Sequence, residues 1–253
     1  MISKQISKIL VMGTLFTSCA SIDGLEVDKS FTYQSLGQRG LIISEVMSPD
    51  SIKLDDVNQN QLKGLLESEV RDEREDFQLA HAESKLFNDT VLQEFKQTGG
   101  LSSKTLKLLP KLRNYVAYGI VSNDSTSQQE KEEKDDKDNI VSYIYSTSRQ
   151  MTVSFKVYDL ESSKLVWSGD VNKSLNESKK YNKKEHRRLL ASNNTVDTIN
   201  AIGGLAGALT GKKQDDPILD NYTLHPKAPS QRDTLKDLFE DFADSLPKKG
   251  LFD

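Results

Sequence analysis

The stretch Arg149-Gln150-Met151-Thr152-Val153-Ser154-Phe155-Lys156-Val157-Tyr158-Asp159-Leu160-Glu161-Ser162-Ser163-Lys164-Leu165-Val166-Trp167-Ser168-Gly169 decides the fold. Met151, Val153, Phe155 and Val157 alternate with Thr152, Ser154, Lys156 and Tyr158, the period-two pattern of a strand with one buried face. Asp159 to Lys164 is a polar turn, and Leu165 and Trp167 beyond it point to one side of a second strand, so the pair predicts an antiparallel hairpin. Upstream, Ile140-Val141-Ser142-Tyr143-Ile144-Tyr145 either extends the first strand or pairs with a strand over Tyr115 to Val121; both arrangements give an antiparallel meander.

Working outward, Tyr115-Val116-Ala117-Tyr118-Gly119-Ile120-Val121 reads as a strand in a sheet interior. Leu41-Ile42-Ile43-Ser44-Glu45-Val46 reads as the first strand, ending before the turn signal Ser48-Pro49-Asp50. Between them, Asp55 or Asp56 caps a helix carrying Leu62, Leu65, Leu66 and Val70. Phe77 to Ala82 reads as a short strand, with His81 an edge residue rather than a ligand. Ser84 opens a helix with Phe87, Val91, Leu92 and Phe95 on one stripe, stopping at Gly99-Gly100, and Ser102 or Ser103 starts a short amphipathic segment. Ser230 caps the last helix, whose stripe of Leu235, Leu238, Phe239, Phe242 and Leu246 covers the sheet before Pro247. The expectation is an α/β (α+β) domain over 41–253, with a mixed sheet, an antiparallel hairpin meander and covering helices.

Two long loops interrupt this pattern. Residues 122–138 contain no apolar side chain, which predicts a mobile loop, and their acids do not match the spacing of a calcium loop. Residues 172–229 read as a second loop of weak order. It holds a basic tract of Lys179, Lys180, Lys183, Lys184, Arg187 and Arg188, then a patch with Gly203, Gly207 and Gly211 at four-residue spacing. That spacing suits close helix approach, and the patch is too short to span a bilayer. It is read in three ways: an element docking on a membrane or another copy, a helical hairpin buried in the domain, or a flexible loop. The basic tract suits anionic headgroups or phosphate groups. These nine residues are the candidate membrane or partner contacts.

The N-terminus carries Lys4 and Lys8, an apolar run from Ile9 to Phe16, small residues Thr17 and Ser18, and then Cys19, the one cysteine among 253 residues. This is the layout of an export signal, and its apolar run is shorter than the roughly 20 residues a spanning helix needs. Leu15-Phe16-Thr17-Ser18-Cys19 resembles the lipobox of bacterial lipoproteins, with Phe16 where that family usually has Leu. The resemblance implies cleavage after residue 18, acylation of Cys19, and, from Ala20, sorting to the outer membrane. Residues 1–18 are then signal peptide and 19–40, polar with few periodic apolars, a lipidated tether.

Composition excludes several functions. A single cysteine makes no internal disulfide and no cysteine-based zinc site, and the three histidines lie far apart, without metal-ligand spacing. A formal charge of −4 with mixed signs argues against a nucleic-acid partner. No nucleophile elbow, Walker loop, dinucleotide fingerprint or kinase signature occurs. The acid pairs Glu67/Glu69 and Asp159/Glu161 fall on predicted solvent faces or turns, so no catalytic residue, metal or cofactor is assigned.

The segment 149–169 also resembles the strand and D-x-x-[ST]-G-x-x-[VL]-W hairpin of a group of envelope proteins. That group comprises the curli secretion channel lipoprotein, the Tol-system N-terminal domain and the penicillin-binding-protein activator lipoproteins. The element order over 41–171 and 230–247 is similar, while Ser163 stands where the group often has Gly and 172–229 departs from it. The resemblance implies a domain presented to the periplasm that acts by binding. The expectation is a non-catalytic envelope lipoprotein, held in the outer membrane through Cys19, that binds an envelope protein or assembles with itself. Its contact region would be the surface near 122–138 and 172–211. The alternatives are a secretion-channel-like oligomer and a cell-wall enzyme. A channel would need membrane strands with apolar residues alternating outward, which the polar 122–138 tract does not supply.

Overall fold

The computed structural model describes residues 21–81, 86, 88–191 and 224–249. Its centre is one five-stranded sheet in the order β1-β5-β4-β3-β2. The strands are β1 (Ser21–Val27), β2 (Leu41–Met47), β3 (Tyr115–Lys134), β4 (Ile140–Asp159) and β5 (Lys164–Asn182). β2 and β3 run parallel and every other neighbouring pair is antiparallel, so the sheet is mixed as expected. The helices are α1 (Tyr33–Arg39), α2 (Gln59–Glu73), α3 (Asp89–Thr98), α4 (Ser103–Leu108), α5 (183–191) and α6 (Gln231–Ser245).

Alternation along the central strands sorts the core into two layers. Met151, Val153, Phe155 and Val157 of β4, with Tyr115, Ala117 and Val121 of β3, pack in one cluster with Leu62, Leu66 and Val70 of α2 and the apolar stripe of α6. Phe155 stacks on Phe242 at 4.1 Å between ring centroids, and Trp167 meets the same ring edge-on at 5.3 Å. Val116, Tyr118 and Tyr158 face the other way, against Val91 and Phe95 of α3 and Leu106 of α4. Each of these aromatic side chains removes a large apolar area from water, which is the main stabilising term for such a sheet.

Helix boundaries follow capping chemistry. The Asn58 side chain accepts from the Gln61 N–H and Gln61 reciprocates, so α2 starts at Asn58 rather than at Asp55 or Asp56. Asn88, not Ser84, caps α3, which ends at Gly99 with φ of 67°. Ser102 caps α4 and Ser230 caps α6, at the expected positions. The expected strand over Phe77 to Ala82 reduces to one parallel bridge between Leu79 and Leu41.

Three expectations need larger correction. Residues 21–39 are not a tether: β1 pairs with β5, Phe31 and Leu36 are buried, and a Thr32/Ser35 capping box starts α1. Residues 122–134 are not a loop. They continue β3, while 140–152 and 172–182 continue β4 and β5, so the strands reach 20, 20 and 19 residues. Nor is 172–229 uniformly weak in order, since 172–182 is strand and 183–191 is helix. The glycines Gly203, Gly207 and Gly211 lie outside the described residues, as does Cys19.

Candidate interaction surface

Beyond the bulge between Val121 and Asn123, β3, β4 and β5 leave the helix-covered core as a three-stranded arm. At the usual rise of a strand, about 11 residues give a projection of roughly 35 Å. The backbone ladder orders what apolar burial cannot. At the tip, the Asp135 carboxylate accepts from the Lys137 N–H (2.9 Å) and the Asn139 N–H (2.8 Å), which closes the β3–β4 turn.

One arm face is a carpet of hydroxyls and amides. Across β3, β4 and β5 the rows read Ser125, Gln150, Ser174; Ser127, Ser148, Asn176; and Gln129, Ser146, Ser178. Ser146 and Ser178 hydroxyls lie 2.9 Å apart, Ser148 donates to Asn176 Oδ1 at 3.0 Å, and Thr152 donates to Asn172 Oδ1 at 2.6 Å. These pairs brace the strands side to side. The opposite face is covered. His186 of α5 is buried and stacks on Tyr143 at 3.8 Å, and its Nε2 lies 2.7 Å from the Tyr145 hydroxyl. Burial, with Glu130 beside it, pushes the Tyr145 hydroxyl up to about 12. The return segment crosses next to them, with Tyr181 donating to the Leu224 carbonyl (3.1 Å) and Thr147 to the Pro226 carbonyl (2.8 Å).

Charge divides across the arm. Residues 122–139, the outer strand and its turn, hold seven acids and three lysines. Residues 173–191, the opposite outer strand and α5, hold seven Lys and Arg and two Glu. The six residues of the predicted basic tract are therefore brought together: Lys179 and Lys180 on β5, Lys183, Lys184, Arg187 and Arg188 on α5, all exposed. Lys180 also reaches across β4 to Glu133.

The acid pairs weighed as catalytic do not form a site. Glu69 is buried against α6 rather than on a solvent face, and that burial raises its carboxyl against the opposing pull of Lys236. Burial alone would raise Asp159, but the Arg39 guanidinium and Ser162 outweigh it and hold the carboxyl below the usual range. Asp159 also accepts from the Glu161 N–H (2.9 Å) and the Ser162 hydroxyl (2.7 Å), so it builds the hairpin turn. Among the described residues, no three His, Cys, Asp or Glu side chains are grouped to hold a metal ion. Nor, among them, is any helix long and apolar enough to cross a membrane.

The fold and surface thus define an α+β domain with a projecting polar arm. No family model matches the chain, and no curated protein matches it in sequence. Solved structures similar to it include the hypothetical protein CT253 from Chlamydia trachomatis, at 16% identity and a TM-score of 0.34, covering 55% of this chain and 72% of that one. The PelC dodecamer from Paraburkholderia phytofirmans is similar at 10% identity and a TM-score of 0.32, covering 62% and 81%. The lipoprotein GNA1162 from Neisseria meningitidis is similar at 14% identity and a TM-score of 0.26, covering 65% and 97%. The neighbours include bacterial lipoproteins, no catalytic family is indicated, and likenesses this slight carry no argument about role.

The sequence located the basic tract but not the arm that displays it, nor the Tyr143, Tyr145 and His186 cluster that seats α5. The alternation of Val141, Tyr143, Tyr145 and Thr147 with Ser142, Ile144, Ser146 and Ser148 was the available signal.

Proposed function

We propose that this protein is a non-catalytic bacterial envelope lipoprotein, anchored in the outer membrane through acylated Cys19, that presents its domain to the periplasm as a protein-binding or assembly module. The observation that carries the reading is the lipobox-like stretch ending at Cys19, the chain's single thiol, two residues ahead of the first strand. Acyl chains bury methylene groups at about 0.8 kcal/mol each, so two or more hold a protein on a bilayer without a spanning helix. The arm supports a binding role, because it offers a long polar face and two edges of opposite charge while its pairing acids serve turns and packing. Channel-like insertion is disfavoured, since both arm faces carry polar or charged side chains where lipid contact needs an apolar row. Cell fractionation of wild type and Cys19→Ala tests the reading. Wild type belongs in the membrane fraction and the variant in the soluble fraction; equal membrane association of both would refute it.

A further inference from the structure

Ser21 pairs with Asn172 of β5, at the base of the arm. Cys19 lies two residues before Ser21, and at no more than about 3.6 Å per residue its Cα is within about 7 Å of that base. Only Ala20 lies between Cys19 and the first residue of β1 in the sequence. An acyl group on Cys19 therefore brings the β5 side of the sheet to the membrane. The same strand continues to Lys179 and to Lys180, which pairs with Glu133 across β4, and then into α5, seated on Tyr143 and Tyr145 through His186, with Lys183, Lys184, Arg187 and Arg188 exposed. Along the arm the acids on this edge are Glu177 and Glu185, with Glu185 engaged by the Asn182 N–H at 3.1 Å; below the base, the edge strand β1 adds exposed Asp23 and Glu26. The acid-rich edge, β3 with its turn, is two strands away.

We propose that the arm lies edge-on against an anionic bilayer surface, β5 and α5 toward the headgroups and the acidic β3 edge turned away. This rests on acylation of Cys19 and deepens it by fixing how the anchored domain is oriented. Anchor and basic cluster then act as two signals on one edge. The surface potential attracts the basic edge and repels the acidic one, and each basic residue near the surface favours the docked state by about fivefold. The hydroxyl and amide face stays in water and the opposite face is covered by α5 and the return segment, which is why the contact is an edge.

Acylation consumes the thiol of Cys19, so one added cysteine is labelled selectively. Gln129 on β3 and Ser178 on β5 both pair with Ser146, one row across the arm. Full-chain acylated Ser178→Cys and Gln129→Cys, each carrying a fluorophore, are placed in phosphatidylcholine vesicles with a headgroup-borne quencher, with or without phosphatidylglycerol. The expected result is at least twofold stronger quenching at 178 than at 129 with phosphatidylglycerol. The difference should vanish in its absence, at high salt, or when Lys179, Lys183, Lys184, Arg187 and Arg188 are all changed to Gln. Equal quenching at both positions, or a difference indifferent to anionic lipid, overturns the proposal. So does crosslinking between 178 and 129 of different copies, which would make a second molecule the occupant of the basic edge. The mass of the starting protein separates the failures: absent acylation refutes the anchor and this orientation together, whereas acylated protein with equal quenching refutes the orientation alone.

Discussion

Arg149 of β4 holds both carboxylate oxygens of Asp124 on β3, at 2.8 and 3.0 Å from one guanidinium nitrogen, at the point where the arm leaves the core. The pair is largely buried and does not stand alone. Gln231, the first residue of α6, donates to the same carboxylate and to the Lys53 carbonyl, and its own carbonyl accepts from the Asp55 N–H at 2.7 Å. Arm, last helix and the loop before α2 therefore meet at one polar knot. Asp124→Ala leaves the Arg149 charge buried without its partner and should cost about 2–4 kcal/mol in urea unfolding. Replacing both, Asp124→Leu with Arg149→Met, should recover much of that loss.

Ser163 adopts φ of 55°, a left-handed conformation that costs a side chain roughly 1 kcal/mol and glycine nothing. Ser163→Gly should raise the melting temperature by about 2–4 °C in calorimetry, reduced by whatever the Ser163 contact with Lys111 contributes. A lowered melting temperature would show that this contact outweighs the backbone strain.

The Arg39–Asp159 pair sets an acid limb. Because the Asp159 carboxyl is depressed in the folded state, its contribution is complete above the unfolded value near about 4 and is lost as pH falls through the lower folded value. Urea midpoints of wild type should therefore fall below about pH 4, and Asp159→Asn should be less stable at neutral pH with a flatter acid limb. Parallel profiles for the two proteins would contradict this.

Gly119 on β3 faces Phe155 on β4, and a Cβ there would lie 2.7 Å from the ring. Phe155 is in turn stacked on Phe242, so it has little room to move. Gly119→Ala should destabilise by about 1–3 kcal/mol in chemical denaturation.

These positions also show what the sequence made legible. The strand around Phe155, the turn at Asp159 and the stripe of α6 were readable because apolar burial imposes a period that survives in one chain. The arm was not, because 122–134 has no apolar residue and takes its order from hydrogen bonds to β4, whose register no local pattern encodes. Residues 21–39 were missed for a related reason: a short edge strand and a seven-residue helix bury few side chains, chiefly Phe31 and Leu36. Of the surface, the basic tract was visible as composition, but its placement across a sheet from an acidic edge depends on long-range pairing.

The most direct test of the anchored, binding-module account is the intact mass of protein extracted from the cell envelope, with its N-terminal peptide. The expected product is a chain beginning at Cys19, lacking residues 1–18 and heavier by at least two acyl chains on that residue. A chain that retains residues 1–18, or begins elsewhere with an unmodified cysteine, would contradict it.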